Sequence, residues 1–481
     1  MDYEKRAKRQ SYRIIISEII MVATVVIMVV VLALIVSGYW LSADFTVERQ
    51  GMLQVNSVPT GASVAVDGDA PWFQRTNTSK VLKSGEHSIV LSRDGYDTWS
   101  KTINISEGLL YRLHYPRLFL TEREKSNVYD LSSVTYMTIS KEHNRLLLAN
   151  QTTTWSLINL ENETLTAKTL DISNLFSPED PDTNTASDSD SDPASSSASE
   201  QFSGQILDSW WSNDNQHLLI KAKVSNETVW VLLDLNDPAK SVNLNRVFAA
   251  NFTDMRIFDN SASHLLAVRN GNLHKIDVSG RQISAALASN VLDYNYYASD
   301  IIYVTKTGVN LLKNGDNAPL VVQTFGSDLL ENASPSKTQA FLSRFYENKF
   351  ITIVTDDQLF VLNRNEDSVF ASENIGFVPD EVQIGQNGEF VFMKLGTNVA
   401  TFDMEAVKMT SWSLDSDASG WLNSDMIYAV NNGNLIVYDF DGLNRRELSS
   451  NASSSSPVTI TNDKWLYYVS DKKLVREIVV K

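Results

Sequence analysis

The chain is 481 residues long, contains no cysteine and carries a net charge of −17 at pH 7. The lack of cysteine excludes disulfide scaffolds, thiol enzymes and thiolate metal sites. The acidic balance argues against a nucleic-acid partner, which needs a basic surface, and the length suffices for two or three domains.

The first 41 residues predict a membrane anchor. Residues 1–13 form a tail with five lysines and arginines, and the apolar stretch 14–41 that follows has Glu18 as its one charged residue. About 20 apolar residues cross a bilayer, so we predict a transmembrane helix at 14–41. Basic residues favour a cytoplasmic N-terminus and place the bulk of the chain outside the cytoplasm, at the cell membrane. A cleaved signal peptide is the alternative, although its apolar region is usually about 7–15 residues long.

Residues 51–115 predict a small antiparallel β-sandwich. Short alternating segments such as "MLQVNSV", "ASVAVDG" and "GEHSIVLSRDGY" are separated by turn residues, which is typical of short paired strands. Gly61 and Gly68 tolerate the positive φ angles that tight turns require.

The order of glycines in this region carries a family resemblance. The stretch "PTGASVAVDG" at 59–68, Gly85 and the pair Gly95-Tyr96 resemble the PEGA domain. Two features depart from the family: Thr60 replaces its acid, and "DAPWFQRTNTSK" replaces its Gly-x-Thr-Pro hairpin. The resemblance implies an extracytoplasmic binding or spacer module of a bacterial envelope protein, without catalysis.

Trp72 and Phe73 lie in the loop that departs from the family. Exposed aromatic residues are common anchors at protein interfaces, which makes these two candidate partner-binding residues. The other interpretation is that Trp72 folds back over the small core, because large aromatic side chains dominate such cores. Both interpretations stay open at this stage.

Residues 120–481 predict a β-propeller. Eight segments share two apolar residues and, in most cases, a following Asp or Asn: "WSLINLEN", "VWVLLDLND", "LHKIDVSG", "VNLLKNGD", "LFVLNRNED", "VATFDMEA", "LIVYDFDG" and "LVREIVVK". Their spacing of about 35–45 residues is typical of four-stranded blades. The repeat resembles degenerate WD40-like and TolB-like propellers without the Trp-Asp pair, and it predicts seven or eight blades. The last repeat lacks a fourth strand, for which residues 111–122 are a candidate.

An acidic insertion, residues 177–201, interrupts the first two repeats. It consists mostly of Ser, Asp, Thr and Pro, so it cannot bury a core and we predict disorder. It lacks the spaced Asp frame and terminal Glu of an ordered calcium loop.

Five acidic residues are candidates for a ligand-binding site. Each stands a few residues before an apolar residue near the start of a predicted innermost strand: Asp208, Asp254, Asp293, Glu381 and Asp417. If they converge at one mouth of the central channel, they favour a cation or a basic ligand. The alternative is that they are ordinary turn residues.

The sequence contains no Gly-x-Ser-x-Gly, phosphate-loop or His-Glu-x-x-His motif, so we predict no catalytic residues, metal or cofactor. The predicted function is therefore a single-pass envelope scaffold that binds a protein or glycan. The alternative is a glycan-active hydrolase or lyase that uses the channel-mouth carboxylates, which needs two carboxyl groups at a defined separation.

Overall fold

A computed structural model describes residues 2–36, 39–41, 47–70, 74–173, 175–176, 202, 204–316, 318–385 and 387–481. The chain forms two compact units: the first contains Met1–Glu122 together with Val480–Lys481, and the second spans Arg123–Val479. The acidic insertion 177–201 and the loop residues Trp72 and Phe73 lie outside the described residues.

The first unit begins with a long helix, Asp2–Val36. Its segment Ile16–Ala33 has a mean hydropathy of 2.7, and none of that segment is buried. The helix is long and apolar enough to cross a membrane, a property that an N-terminal signal sequence shares. It ends five residues before the predicted boundary at Leu41, because Tyr39–Leu41 pairs as a strand with Val47–Val55.

Two sheets complete the first unit and confirm the predicted β-sandwich. One sheet contains Tyr39–Leu41, Val47–Val55, Thr78–Lys83 and Leu110–Leu113, and the other contains Ser63–Val66, Gly85–Ser92 and Trp99–Ile105. Strands pair antiparallel except Val47–Val55 with Leu110–Leu113, which run parallel. Leu53, Ile89 and Trp99 are fully buried. Gly61 and Gly68 have φ angles of 80° and 83°, as their turn positions require.

The second unit is a β-propeller of eight four-stranded sheets, counted over the described residues. Blades 1 to 7 each use four consecutive strands, paired in sequence order. Their strands are Val134–Ile139, Arg145–Asn150, Thr154–Asn159, Ala167–Asp171; Gln205–Trp211, His217–Val224, Glu227–Asp234, Val242–Asn243; Asp254–Ile257, His264–Arg269, Asn272–Asp277, Gln282–Ile283; Asp293–Tyr297, Asp300–Val304, Gly308–Leu312, Leu320–Thr324; Thr338–Phe345, Asn348–Thr355, Gln358–Asn363, Ser368–Asn374; Glu381–Ile384, Phe390–Leu395, Asn398–Asp403, Lys408–Ser413; and Ser419–Trp421, Met426–Asn431, Asn434–Asp439, Arg446–Ser449. Short helices at Pro238–Lys240, Leu244–Phe248 and Pro335–Lys337 connect some of them.

Blade 8 closes the ring with a strand from the start of the unit. It contains Thr459–Thr461, Trp465–Ser470 and Lys473–Ile478, followed by Lys125–Asp130 as the fourth strand. The assignment of this strand to residues 111–122 was therefore wrong, because Leu110–Leu113 already pairs within the first unit. Ring closure leaves only the short outer edge of each blade, which limits the exposed edges that would otherwise invite aggregation.

A buried carboxylate reinforces this closure. Glu477 is fully buried, and its carboxylate lies 2.6 Å from Nε of Arg123 and 3.6 Å from Nζ of Lys125. The Tyr468 hydroxyl donates a hydrogen bond of 3.2 Å to the same carboxylate, and burial raises the pKa of Tyr468 to about 12. The first and last strands of the propeller therefore share a charged contact as well as backbone pairing.

The repeated sequence segment is the third strand of each blade, and in six of the eight blades that strand ends at an Asp or Asn. Asp234 Oδ1 accepts hydrogen bonds of 2.9 Å from the backbone N–H groups of Asn236 and Asp237. Asn159 and Asp403 accept equivalent bonds from the residue two positions ahead. A short acceptor side chain at this point stops the strand and starts a turn, which explains why the repeat selects Asp or Asn.

The apolar core of the propeller lies between neighbouring blades. One cluster of buried residues joins Trp155 of blade 1 to Trp211 of blade 2, and another joins Trp230 of blade 2 to Met255 of blade 3. Trp465 of blade 8 packs with Leu146 of blade 1. Blades are therefore stabilised by their neighbours, which makes the closed ring the cooperative unit.

Candidate functional site

Four of the five predicted acidic residues lie on the first strands of blades 2, 3, 4 and 6, and the fifth lies just before the first strand of blade 7. Asp254, Asp293 and Glu381 are the first residues of their strands, Asp208 is the fourth, and Asp417 precedes its strand by two residues. First strands of neighbouring blades touch: the Asn295 side chain donates a 2.8 Å hydrogen bond to the carbonyl of Ala340. These strands therefore line the centre of the ring.

Blades 2, 3 and 4 bring three of the acidic residues into one group, in which Asp254 and Asp293 contact Arg256 and Asp208 lies near Asp254. Arg256 Nε lies 3.5 Å from Asp254 Oδ2, and its Nη2 lies 3.2 Å from Asp293 Oδ1. The guanidinium also bonds the Tyr294 carbonyl and the Asn295 side chain, and it stacks 4.4 Å from the centre of the Tyr294 ring. Arg256 therefore joins the first strands of blades 3 and 4.

Electrostatics within this group favour partial neutralisation of the carboxylates. Burial raises the pKa of Asp293, and the positive charge of Arg256 offsets part of that rise. Burial raises the pKa of Asp208 and the negative charge of Asp254 adds to that rise, whereas the charge of Lys221, directly opposite Asp208 in the strand pairing, offsets part of it. Three carboxylates thus share two cations, which leaves this part of the channel mildly acidic.

The other two acidic residues lie around a second cation. Glu381 pairs in register with Lys394, and Glu381 Oε2 lies 3.7 Å from Lys394 Nζ. The same Lys394 donates a 2.9 Å hydrogen bond to the backbone carbonyl of Asp417, not to its carboxylate. The five acidic residues consequently form two separate groups, and each group contains its own cation.

Sequence reasoning missed the cations Arg256, Lys221 and Lys394. One signal for Arg256 was available: it stands two residues after Asp254, so both side chains lie on the same face of a strand. Lys221 and Lys394 come from the second strand of their blades, and their pairing with Asp208 and Glu381 depends on the register. No local pattern reveals that register.

Three histidines near the second strands of blades 1 to 3 make separate local contacts. His143 bonds the Thr459 hydroxyl at 2.7 Å, and burial lowers the pKa of His143. His264 lies 2.8 Å from Asp259 Oδ2, and His217 lies 3.8 Å from both Asp214 and Asp234. Across the part of the chain that the structure describes, no group of three or more His, Cys, Asp or Glu residues is arranged to hold a metal ion.

Comparison with known proteins supports the first unit directly. Residues 50–116 match the family model of the PEGA domain, which confirms the resemblance drawn from its glycines. No curated protein sequence matches the chain.

Several solved propellers resemble the chain at low identity. The C-terminal WD40 domain of Sif2 has 10% identity and a TM-score of 0.44, covering 74% of this chain and 98% of that one. The computationally designed Ika8 protein has 10% identity and a TM-score of 0.42, covering 74% and 99%. The β-propeller domain of Myceliophteria thermophila Cps50 (Swd1) has 10% identity and a TM-score of 0.36, covering 75% and 99%. The propeller fold is therefore assigned from the eight sheets themselves, and not from these similarities.

Proposed function

We propose that this chain is a single-pass envelope protein whose PEGA domain and propeller bind a protein partner outside the cytoplasm, without chemistry of their own. The observation that carries the proposal is the order of parts: an unburied apolar helix, a PEGA domain and a closed eight-bladed ring follow one another in one chain. The basic residues at positions 5–13 support a cytoplasmic N-terminus, because lysine and arginine are retained on that side of the membrane.

The state of the channel acids supports a non-catalytic role. A glycosidase keeps one carboxyl group as an acid and a second as a nucleophile or base. Here Asp254 and Asp293 are engaged by Arg256, and Glu381 is engaged by Lys394. The Arg256–Asp293 pair joins two blades and the Lys394–Glu381 pair joins two strands, and opposite charges placed across strands stabilise sheets.

In-cell photocrosslinking tests the binding role. A photoreactive amino acid is placed at one exposed position per blade of the full chain, and adducts are identified by mass spectrometry. We expect discrete protein adducts from positions on adjoining blades, and none from the same amino acid placed in the N-terminal tail. The proposal fails if no blade yields an adduct. It also fails if the purified chain releases reducing ends from an envelope glycan and Asp293→Asn abolishes that release.

A further inference from the structure

A basic groove lies across the outer strands of blades 1 to 3. Its volume is 770 Å³, and it extends from Asp171 at the end of blade 1 to Val242 in blade 2 and Arg281 in blade 3. Lys240 and Arg246 contribute two further cations. A neighbouring cavity of 360 Å³ shares Lys240, Val242 and Arg281 with it, so the two form a continuous depression.

The charge of this groove contrasts with that of the whole chain. The protein carries a net charge of −17, but the lining of the depression has three cations, Lys240, Arg246 and Arg281, against two carboxylates, Asp171 and Asp234. Backbone and side-chain hydrogen bonds from Ser173 lower the pKa of Asp171, which keeps that carboxylate ionised and locally engaged. A cationic depression on an acidic protein attracts an anionic ligand.

Arg281 is the cation most available to a ligand. It is exposed, and among the described residues its guanidinium has neither a hydrogen bond nor an ion pair. Its backbone has a φ angle of 50°, in a turn that Asp277 stabilises by accepting a 2.8 Å bond from Gly280 N–H. Non-glycine residues in this conformation persist where the surrounding structure imposes it. The turn therefore holds Arg281 at the junction of the two cavities.

Lys240 is held more loosely. Its Nζ lies 3.3 Å from Asp237 Oδ2, but the Lys240 side chain is 73% exposed. An exposed ion pair of this kind contributes little to stability, so a carboxylate of a ligand can replace Asp237 as the partner of Lys240. Lys240 and Arg281 both line the two cavities, which makes them the pair that a single extended anion contacts.

Apolar groups between the cations define the ligand further. Leu175, Val242 and Val247 are partly exposed and line the larger cavity together with the cations. A bare phosphate polymer has no groups to cover these side chains, whereas a polypeptide offers apolar and acidic side chains together. Guanidinium groups also match the planar carboxylate of Asp and Glu.

We propose that this groove binds an acidic segment of a partner polypeptide, with Arg281 and Lys240 contacting its carboxylates. The inference rests on the proposed binding role of the propeller and names the chemistry of the partner. It assigns that role to the outer strands of blades 1 to 3, whereas the channel acids lie at the innermost strands.

The test is a fluorescence anisotropy titration of the purified full chain in detergent. The probe is a labelled 12-residue peptide of alternating Asp and Leu, and a peptide with Asn in place of Asp is the uncharged control. We expect Arg281→Gln to weaken binding about threefold and Lys240→Gln with Arg281→Gln to weaken it about tenfold. The matched control is Lys306→Gln with Lys408→Gln, which removes two exposed cations from blades 4 and 6 and should leave the affinity unchanged.

Every titration is repeated with residues 178–200 replaced by a Gly-Ser linker. Segment 177–201 carries seven acidic residues and no basic one, so the replacement prevents competition from it. Equal affinity of wild type and the Lys240/Arg281 variant overturns the inference, as does equal weakening by the Lys306/Lys408 control. Stronger competition by polyphosphate than by unlabelled peptide overturns the assignment to a polypeptide. If crosslinked partners persist in the Lys240/Arg281 variant, the groove inference fails while the proposed function stands.

Discussion

Nε of Arg123 lies 2.6 Å from the carboxylate of Glu477, although 354 residues separate the two in sequence. The Glu477 side chain is fully buried, and that of Arg123 is 16% exposed. Arg123 also donates a 2.6 Å hydrogen bond to the Leu448 carbonyl in blade 7. The residue that enters the propeller is thereby bound to its last strand and to the blade before it.

Replacing Glu477 with Gln should destabilise the propeller by about 3 kcal/mol, because the mostly buried guanidinium of Arg123 loses its negatively charged partner. The measurement is urea unfolding of the propeller transition by tryptophan fluorescence. Arg445→Gln is the control, since it breaks the Arg445–Asp415 pair in which the Arg445 side chain is 51% exposed. That change should cost less than about 1 kcal/mol. Equal midpoints for the wild type and Glu477→Gln would show that ring closure does not depend on this contact.

Asp234→Ala should lower the free energy of unfolding by about 1 kcal/mol. The substitution removes the acceptor for the N–H groups of Asn236 and Asp237, and these donors lose local hydrogen bonds. Asp234→Asn keeps an oxygen at that position and should stay within about 0.5 kcal/mol of the wild type. The comparison of the two variants by equilibrium unfolding tests the role assigned to the repeated Asp or Asn, and identical losses would contradict it.

The sequence predicted the parts of the fold that depend on local patterns. Alternating apolar residues and the recurring Asp or Asn revealed the third strands, and the order of glycines revealed the PEGA domain. The fourth strand of blade 8 was not predicted correctly, because Lys125–Asp130 pairs with Lys473–Ile478 at the other end of the chain. The basic groove was not predicted either, because Lys240 and Arg281 belong to different blades and come together only in the folded propeller. Long-range register and the juxtaposition of blades leave no signal in a single local segment.

Changing Asp254 and Asp293 together to Asn should destabilise the propeller by about 1–2 kcal/mol, because Arg256 loses both of its carboxylate partners. Asp208→Asn is the matched control. It removes a channel acid that has no contact with Arg256 among the described ion pairs, and it should change stability by less than about 0.5 kcal/mol. Thermal unfolding distinguishes the outcomes. A rise in melting temperature for the double variant would mean that repulsion between the acids outweighs their pairing with Arg256.

The propeller should lose stability as the pH falls below about 6.5, in part through His143. Burial lowers the pKa of His143 in the folded chain, so between that lowered pKa and the usual value near 6.5 the unfolded chain binds more protons. The unfolding free energy therefore decreases from about pH 7.5 to about pH 5.5. Asn tolerates the φ angle of 58° at position 143. The variant His143→Asn should therefore reduce the slope of the unfolding free energy against pH. An unchanged slope would assign the pH dependence to other groups.

We propose that the N-terminal helix holds the propeller on the outer side of a membrane. The chain contains no cysteine, so single-cysteine variants report one position each. Ser454→Cys lies in an exposed turn between blades 7 and 8, and Ala7→Cys lies in the basic tail. In intact cells a membrane-impermeant maleimide should label Ser454→Cys, and it should label Ala7→Cys only after permeabilisation. Labelling of Ala7→Cys in intact cells would contradict this topology. A lack of labelling of Ala7→Cys after permeabilisation would show that the tail has been cleaved off, and would contradict it as well.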